Sequence, residues 1–173
     1  MVIKEKVQDA INRQINREIY SAYLYLSMQS YFESVNLKGF ANWMKVQVQE
    51  ELTHAMKLYD YLFQRGGRVI LQPIEAPPGD WSSPLGVFEE TYEHEQVVTS
   101  SINDLVELAH SEKDHATYNM LQWFVSEQVE EEDNASNLIE KIKLMEDAPG
   151  GLFMLDKELA TRVFAPPASS ETN

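Results

Sequence analysis

Glycine and proline are scarce in this chain and gather in a few places. Seven of each occur in 173 residues, most of them between Gly66 and Pro84 or at Pro149-Gly150-Gly151. The segments between are free to run as long helices, and their apolar residues recur at three- and four-residue steps. A first helix is predicted from about Ile3 to Glu33, with Val7, Ile11, Ile15, Ile19, Ala22 and Leu26 as its apolar stripe. Asn36-Leu37-Lys38-Gly39 forms a short turn. A second helix runs to about Gln64, and Gly66-Gly67 stops it as glycines often do just past a helix C-terminus. Residues 68–84 are proline-rich and aperiodic; Val69-Ile70-Leu71 reads as extended and Ser82-Ser83-Pro84 as the start of the next helix. The third helix, about Leu85 to Ser111, turns Val87, Thr91, Val98, Ile102, Leu105 and Leu108 inward, and a fourth follows from about His115 to Asp147. Leu152 to Val163 is a short amphipathic segment outside the bundle. Short, long and short connections between four long helices describe an all-α four-helix bundle with one long crossover connection plus a short C-terminal fifth helix. It occupies residues 1–163 as one domain, and 164–173 form a Pro/Ser-rich tail expected to be disordered.

Carboxylates fall on or beside these stripes. In the second helix, Glu51-x-x-His54 puts a carboxylate and an imidazole on one face, where both can reach one metal ion. Alone, such a pair is ordinary helix surface. A second copy changes that: setting Trp43 on Trp123 places Glu50 on Glu130 and Glu51 on Glu131, while His54 falls on Asn134. Glu18 lies beside Ile15, Ile19 and Ala22, either on the seam or solvated at its edge. Glu95 falls within the third helix's periodic series.

Helices joined by a short turn are antiparallel, so residues equidistant from the turn share a height. Glu18 is 19 residues before Leu37, and Glu51 and His54 are 14 and 17 after it. Glu95 is 18 before Lys113, and Glu127 and Glu131 are 14 and 18 after. All four helices thus deliver acid to a similar level, and Glu127, Glu130 and Glu131 share a helix face. Buried together, such carboxylates repel unless cations neutralise them. Oxygen-rich donors with one imidazole suit iron, with zinc and manganese as competitors. Di-iron carboxylate bundles take a Glu from each of two helices and a Glu-x-x-His from each of the other two. With a single Glu-x-x-His here, two such metal positions should differ, the one nearer the fourth helix being bound by oxygen alone and more weakly.

The net charge of −14, from 28 acidic against 14 basic residues, argues against nucleic acid, which needs a basic face. It suits a protein that attracts cations. The absence of cysteine excludes disulfides, thiolate zinc sites and iron–sulfur clusters. Met1 to Asp9 is charged and lacks a signal peptide's apolar core, and no run approaches the ~18 apolar residues of a membrane span. A cytoplasmic protein with no membrane partner is expected.

The residues Asn16-Arg17-Glu18-Ile19-Tyr20-Ser21-Ala22-Tyr23-Leu24-Tyr25, Gln49-Glu50-Glu51-Leu52-Thr53-His54, Glu93-His94-Glu95-Gln96 and Gln122-Trp123-Phe124-Val125-Ser126-Glu127-Gln128-Val129-Glu130-Glu131 resemble those of the ferritin family, specifically the non-haem prokaryotic ferritins. The likeness covers about residues 1 to 163. It implies a ferritin-like bundle assembled as a hollow homo-oligomer of 24 copies with octahedral symmetry, storing ferric oxyhydroxide. It also implies a ferroxidase centre in each subunit. Carried over by position, Glu18, Glu51 and His54 would hold one iron, with Glu51 bridging to a second held by Glu95 and Glu131, and Gln128 close by. Glu50, Glu127 and Glu130, with Glu131, would form a third iron position. Tyr25 and Trp123 match aromatic residues that can supply electrons when oxygen is reduced, and core packing explains Trp123 equally well.

Bacterioferritins resemble this fold but carry a second Glu-x-x-His and bind haem through a Met. Here Glu127-x-x-Glu130 lacks the His and Leu52 stands at the Met position, so haem is not expected. A rubrerythrin-like di-iron oxidase or peroxidase without storage is the alternative, though those usually carry a rubredoxin-like domain with cysteines. Mini-ferritins that protect DNA place their site between subunits and lack a fifth helix. A purely structural bundle leaves the aligned acids unexplained. The resemblance implies Fe(II) and dioxygen or peroxide as reactants.

Overall fold

Among the described residues the chain forms five helices: α1 (Glu5–Ser34), α2 (Lys38–Gln64), α3 (Pro84–Ser111), α4 (His115–Glu146) and α5 (Gly151–Leu159). The structure, a computed structural model, describes residues 2–166. Most of the expected tail, 167–173, lies outside the described residues. Each helix falls close to its prediction, and among the described residues there is no strand for Val69-Ile70-Leu71 to pair with.

α1, α2 and α3 end in the same way. The residue after each C-cap adopts a positive φ: Asn36 at 62°, Gly66 at 67° and Lys113 at 57°. The following N–H then bonds back five residues, Leu37 N to Phe32 O at 3.0 Å, Gly67 N to Leu62 O at 2.8 Å and Asp114 N to Ala109 O at 2.8 Å. These bonds satisfy carbonyls that the last helical turn leaves without partners. Asp114 has a second use. Its carboxylate caps α4 by accepting from Thr117 N at 3.1 Å, and it holds the Arg65 guanidinium at 3.0 and 3.1 Å. The end of α2 is thereby fastened to the start of α4. Ser83 Oγ accepts from Gly86 N at 3.0 Å with Pro84 in the first turn, so α3 starts as its sequence suggests.

The long connection climbs α1. Asn12 bonds Arg68 O and Ile70 N, Asn16 bonds Gln72 O and Pro73 O, and Ser27 bonds Pro78 O. It delivers α3 to the far end, where Phe88 packs with Phe32 and Phe40. α1 and α4 therefore run one way, and α2 and α3 the other. α5 lies outside the four-helix bundle but is docked on α2 and α4. α2 has no side-chain cap of its own, and Asp156 of α5 supplies one, its Oδ1 accepting from Gly39 N at 2.7 Å and Phe40 N at 3.1 Å. Gly39 permits that approach, since a Cβ there would lie 1.6 Å from the Asp156 carbonyl oxygen.

Burial along α1 departs from the predicted stripe. Val7, Ile11, Ile15 and Ala22 are buried, but Ile19 is half-buried and Leu26 is 48% exposed. Successive four-residue steps advance about 40° around a helix of about 3.6 residues per turn, so that stripe drifts off the core. The buried face continues instead through Glu18, Ala22, Tyr25, Met28 and Phe32. In α3, Leu108 is likewise half-buried while Ala109 faces inward.

Two apolar clusters fill the bundle, one around Phe32, Phe40, Met44 and Phe88, the other around Ile11, Ile15, Leu58, Leu62, Ile102 and Phe124. Every bundle helix interrupts its apolar face between them. Glu18 follows Ile15, Glu51 and His54 fall between Met44 and Leu58, Glu95 between Phe88 and Val98, and Gln128 and Glu131 between Phe124 and Leu138. A polar layer crosses the middle of the core.

Candidate metal centre

Glu18, Glu51, His54, Glu95, Gln128 and Glu131 are all buried in that layer. One ligand atom from each of Glu18, Glu51 and His54 lies within 4.8 Å of the other two. Carboxylate oxygen and imidazole nitrogen sit about 2.0–2.2 Å from a bound transition metal, so a small inward movement would close all three on one ion. His54 Nδ1 is 3.5 Å from Glu51 Oε2, and its Nε2 is 3.9 Å from Glu127 Oε2. Burial pushes the imidazole pKa down to about 4, which leaves it neutral at pH 7 with a lone pair to offer.

Neighbouring amides and hydroxyls orient the carboxylates. Gln14 Nε2 donates to Glu18 Oε1 at 2.8 Å and is itself held by Ser101 Oγ on its Oε1 at 2.8 Å. Gln47 Nε2 donates to Glu131 Oε2 at 2.9 Å. Glu95 receives Gln128 Nε2 at 3.0 Å and a short hydrogen bond from the Tyr25 hydroxyl. Among the described residues, Glu18 Oε2, Glu51 Oε2 and Gln47 Oε1 are nevertheless buried without a well-formed hydrogen bond. Glu51 Oε2 has only His54 Nδ1 at 3.5 Å, and Glu18 and Glu51 can share a proton only when one of them is protonated. Native cores rarely leave such atoms unmet unless an ion or water satisfies them.

Burial dominates the electrostatics. It raises Glu18 to about 7 against the help of Gln14, and Glu131 to about 8 with Glu95 and Glu50 adding repulsion. Glu51 is driven well above the carboxylate range by burial and then by Glu95, Glu18 and Glu131, and burial raises Glu95 as well. The layer resists holding several negative charges by itself, and a divalent cation would remove that resistance.

The whole sequence between α1 and α4 matches a known pattern. Residues 8–145 match the Ferritin family, described as a ferritin-like domain. The chain belongs to the ferritin-like family. It is 47% identical to the bacterial non-heme ferritin of Bacteroides fragilis (strain 638R) over 161 residues, 93% of this chain and 100% of that protein. It is 38% identical to the bacterial non-heme ferritin of Escherichia coli O157:H7 over 160 residues, 92% and 97% of the two chains. Among solved structures, the open-pore ferritin of the hyperthermophilic archaeon Archaeoglobus fulgidus superposes with a TM-score of 0.91 at 60% identity, covering 93% of this chain and 98% of that one. A closed form of the same ferritin, engineered by site-directed mutagenesis, gives a TM-score of 0.93 at 60% identity, covering 94% and 99%.

Within this ferritin-like bundle the repeated Trp-and-glutamate pattern acquires a geometric meaning. Trp43 packs on Phe88 in one apolar cluster, and Trp123 lies beside the other, edge-on to Phe124 at 4.8 Å. Because α2 and α4 run oppositely, the two copies meet at their glutamates, and Glu51 and Glu131 repel each other in mid-bundle. Glu50, Glu127 and Glu130 lie at the solvent side of the layer, the first two half-buried and the third exposed. Burial raises Glu50 and Glu127; Glu130 repels both, and Glu50 also feels Glu127. Tyr25 is fully buried, with burial holding its phenol well above the usual range, and the His94 ring stands edge-on to it at 5.9 Å. Trp123 is half-buried, 5.4 Å from the His54 ring and under the Lys57 ammonium at 4.3 Å.

Gln14, Gln47 and Ser101 are functional neighbours that the sequence reading missed. The available signal was faint: Gln14 and Gln47 each stand four residues before a candidate ligand, on the same helix face.

Proposed function

We propose that this ferritin-like chain stores iron and that each subunit oxidises Fe(II) to Fe(III) at a two-iron centre inside its own bundle. The observation that carries this reading is the buried Glu18–Glu51–His54 group, whose unmet oxygens sit among further buried carboxylates. Fe(II) is the substrate. Glu18, Glu51 and His54 take one ion; Glu51 bridges to a second held by Glu95 and Glu131, with Gln128 beside it. Binding displaces the proton that Glu131, raised to about 8, retains at pH 7, and a bound cation offsets the burial and repulsion that raise Glu51. Each Fe(II) gives one electron to the oxidant. When that is dioxygen, two electrons and two protons taken up from solvent yield hydrogen peroxide.

Fe(III) is harder and more acidic than Fe(II), so its bound water deprotonates, the first step toward a ferric oxyhydroxide mineral. Where only one Fe(II) is bound, Tyr25 can supply the second electron to dioxygen, passing its proton to Glu95 through the hydrogen bond they share. Glu50, Glu127, Glu130 and Glu131 form a third position through which iron leaves the centre. An exposed apolar groove lined by Ile19, Tyr23, Leu26, Leu52 and Ile74 supports assembly with further copies of the chain. We take the assembly to be a cytoplasmic shell of 24 copies, without haem.

The test is anaerobic protein mixed rapidly with Fe(II) and oxygen. Glu18→Ala and His54→Ala should each lower the initial oxidation rate at least about tenfold while the assembly keeps its size, as expected when a ligand of the reacting metal is lost. Unchanged initial rates in both variants would remove the site assignment.

A further inference from the structure

Arg162 lies just beyond α5, yet its guanidinium reaches the carboxylates at the solvent side of the polar layer. Its Nη2 donates to Glu50 Oε2 at 2.7 Å and its Nη1 to the Trp43 carbonyl at 3.3 Å, while the guanidinium stacks 4.4 Å from the Trp43 ring centroid. The backbone that carries it is fixed to the same turn of α2, because Asn42 Nδ2 donates to Leu159 O at 3.1 Å and to Arg162 O at 2.9 Å. The Arg162 and Glu50 side chains retain only 21% and 24% exposure, so this ion pair is partly desolvated. Glu50 is in turn the acid that Glu127 and Glu130 repel, and the Arg162 charge extends as far as Glu131.

From this geometry we infer that Arg162 is a built-in counter-ion of the third metal position. It holds Glu50 while that position is empty and yields it when a divalent ion arrives, so it sets how loosely the third ion is held. The inference rests on the assignment of Glu50, Glu127, Glu130 and Glu131 to a third position. An incoming ion must displace a charge-assisted hydrogen bond from Glu50 and then sit beside a guanidinium that repels it. A position weakened in this way favours onward passage of iron over its retention. The C-terminal segment, docked on α2 through Asp156 and Asn42, thereby becomes a positioning element for iron transfer.

The test is equilibrium binding of Zn(II), which cannot be oxidised, to the intact assembly at fixed salt. Wild type is compared with Arg162→Gln, Arg162→Lys and Glu127→Gln. The two tighter ions should change much less than the third between wild type and both arginine variants, because Arg162 reaches only Glu131 among their ligands, and at a distance. The third should bind about tenfold more tightly in Arg162→Gln, the scale of one charged hydrogen bond discounted for partial exposure, and Arg162→Lys should stay near wild type because it keeps the charge. A third-ion affinity that is unchanged or weaker in Arg162→Gln overturns the role of Arg162. So does an Arg162→Lys protein that behaves like Arg162→Gln, because packing would then be the cause. If wild type takes up no third ion, or Glu127→Gln leaves that ion undisturbed, the third-position assignment itself fails.

Discussion

Loading the centre with a redox-inactive divalent cation should expel protons, in a number set by the buried acids. At pH 7, Glu18 with its pKa near 7 is about half protonated, and Glu131 near 8 holds about nine-tenths of a proton. Glu51, raised by burial and then by Glu95, Glu18 and Glu131, and Glu95, raised by burial, add to that number. His54 is already neutral and contributes none. Two Zn(II) ions that require every carboxylate ionised should therefore release more than about one proton per chain, counted over the cluster rather than by residue. Isothermal calorimetry of metal-free protein in buffers of different ionisation enthalpy measures that count directly. At pH 9, Glu18 and Glu131 are almost fully ionised beforehand, so the count should fall by about one. Release near zero at pH 7, or a count indifferent to pH, would mean that the acids are ionised without metal, and the argument from burial would be wrong.

The same groups make the metal-free fold less stable as pH rises. A carboxyl whose folded pKa is raised contributes stability that is complete below its unfolded value of about 4.5, and that is lost as pH climbs through about 7 for Glu18 and about 8 for Glu131. His54 and His94, lowered from 6.5 to about 4, act in the opposite sense, but only below pH 6.5. Between pH 6.5 and 8, urea unfolding of metal-free protein should thus show a loss of about 2 kcal/mol from Glu18 and Glu131, reversed by Zn(II); a flat profile would contradict it. Asp156→Ala removes the cap that α5 places on α2 and should cost about 1–2 kcal/mol in the same unfolding experiment. Asp156→Asn, which keeps an acceptor oxygen, should recover most of that loss.

The sequence shows the bundle and its acid layer because both depend on spacing. Counting outward from Leu37 and Lys113 brings Glu18, Glu51, His54, Glu95 and Glu131 to one height without any tertiary information, and all five are buried together. Helix ends are marked unevenly: Gly66 announces its positive φ, while Asn36 and Lys113 adopt the same conformation with no glycine to signal it. Leu26 is misread because an apolar residue at a four-residue step looks inward until the drift of the helix is followed. Gln14 stands one turn before Glu18, its partner, but Gln47 bonds Glu131 on another helix, which its neighbours in sequence do not reveal. Asn12 and Asn16 look like solvated helix positions, yet they hold the crossover. Arg162 meets Glu50 across 112 residues, through the docking of α5, and nothing local links the two.

Counting iron per chain decides whether oxidation at the centre feeds a store. Metal-free protein is loaded aerobically with Fe(II) in large excess and passed over a size-exclusion column, and iron per chain is measured in each fraction. A large assembly that carries far more iron than the two or three ions its carboxylates can coordinate is the expected result. A small species that elutes with only two or three irons per chain would keep the metal centre and contradict storage, leaving a di-iron oxidase as the better description.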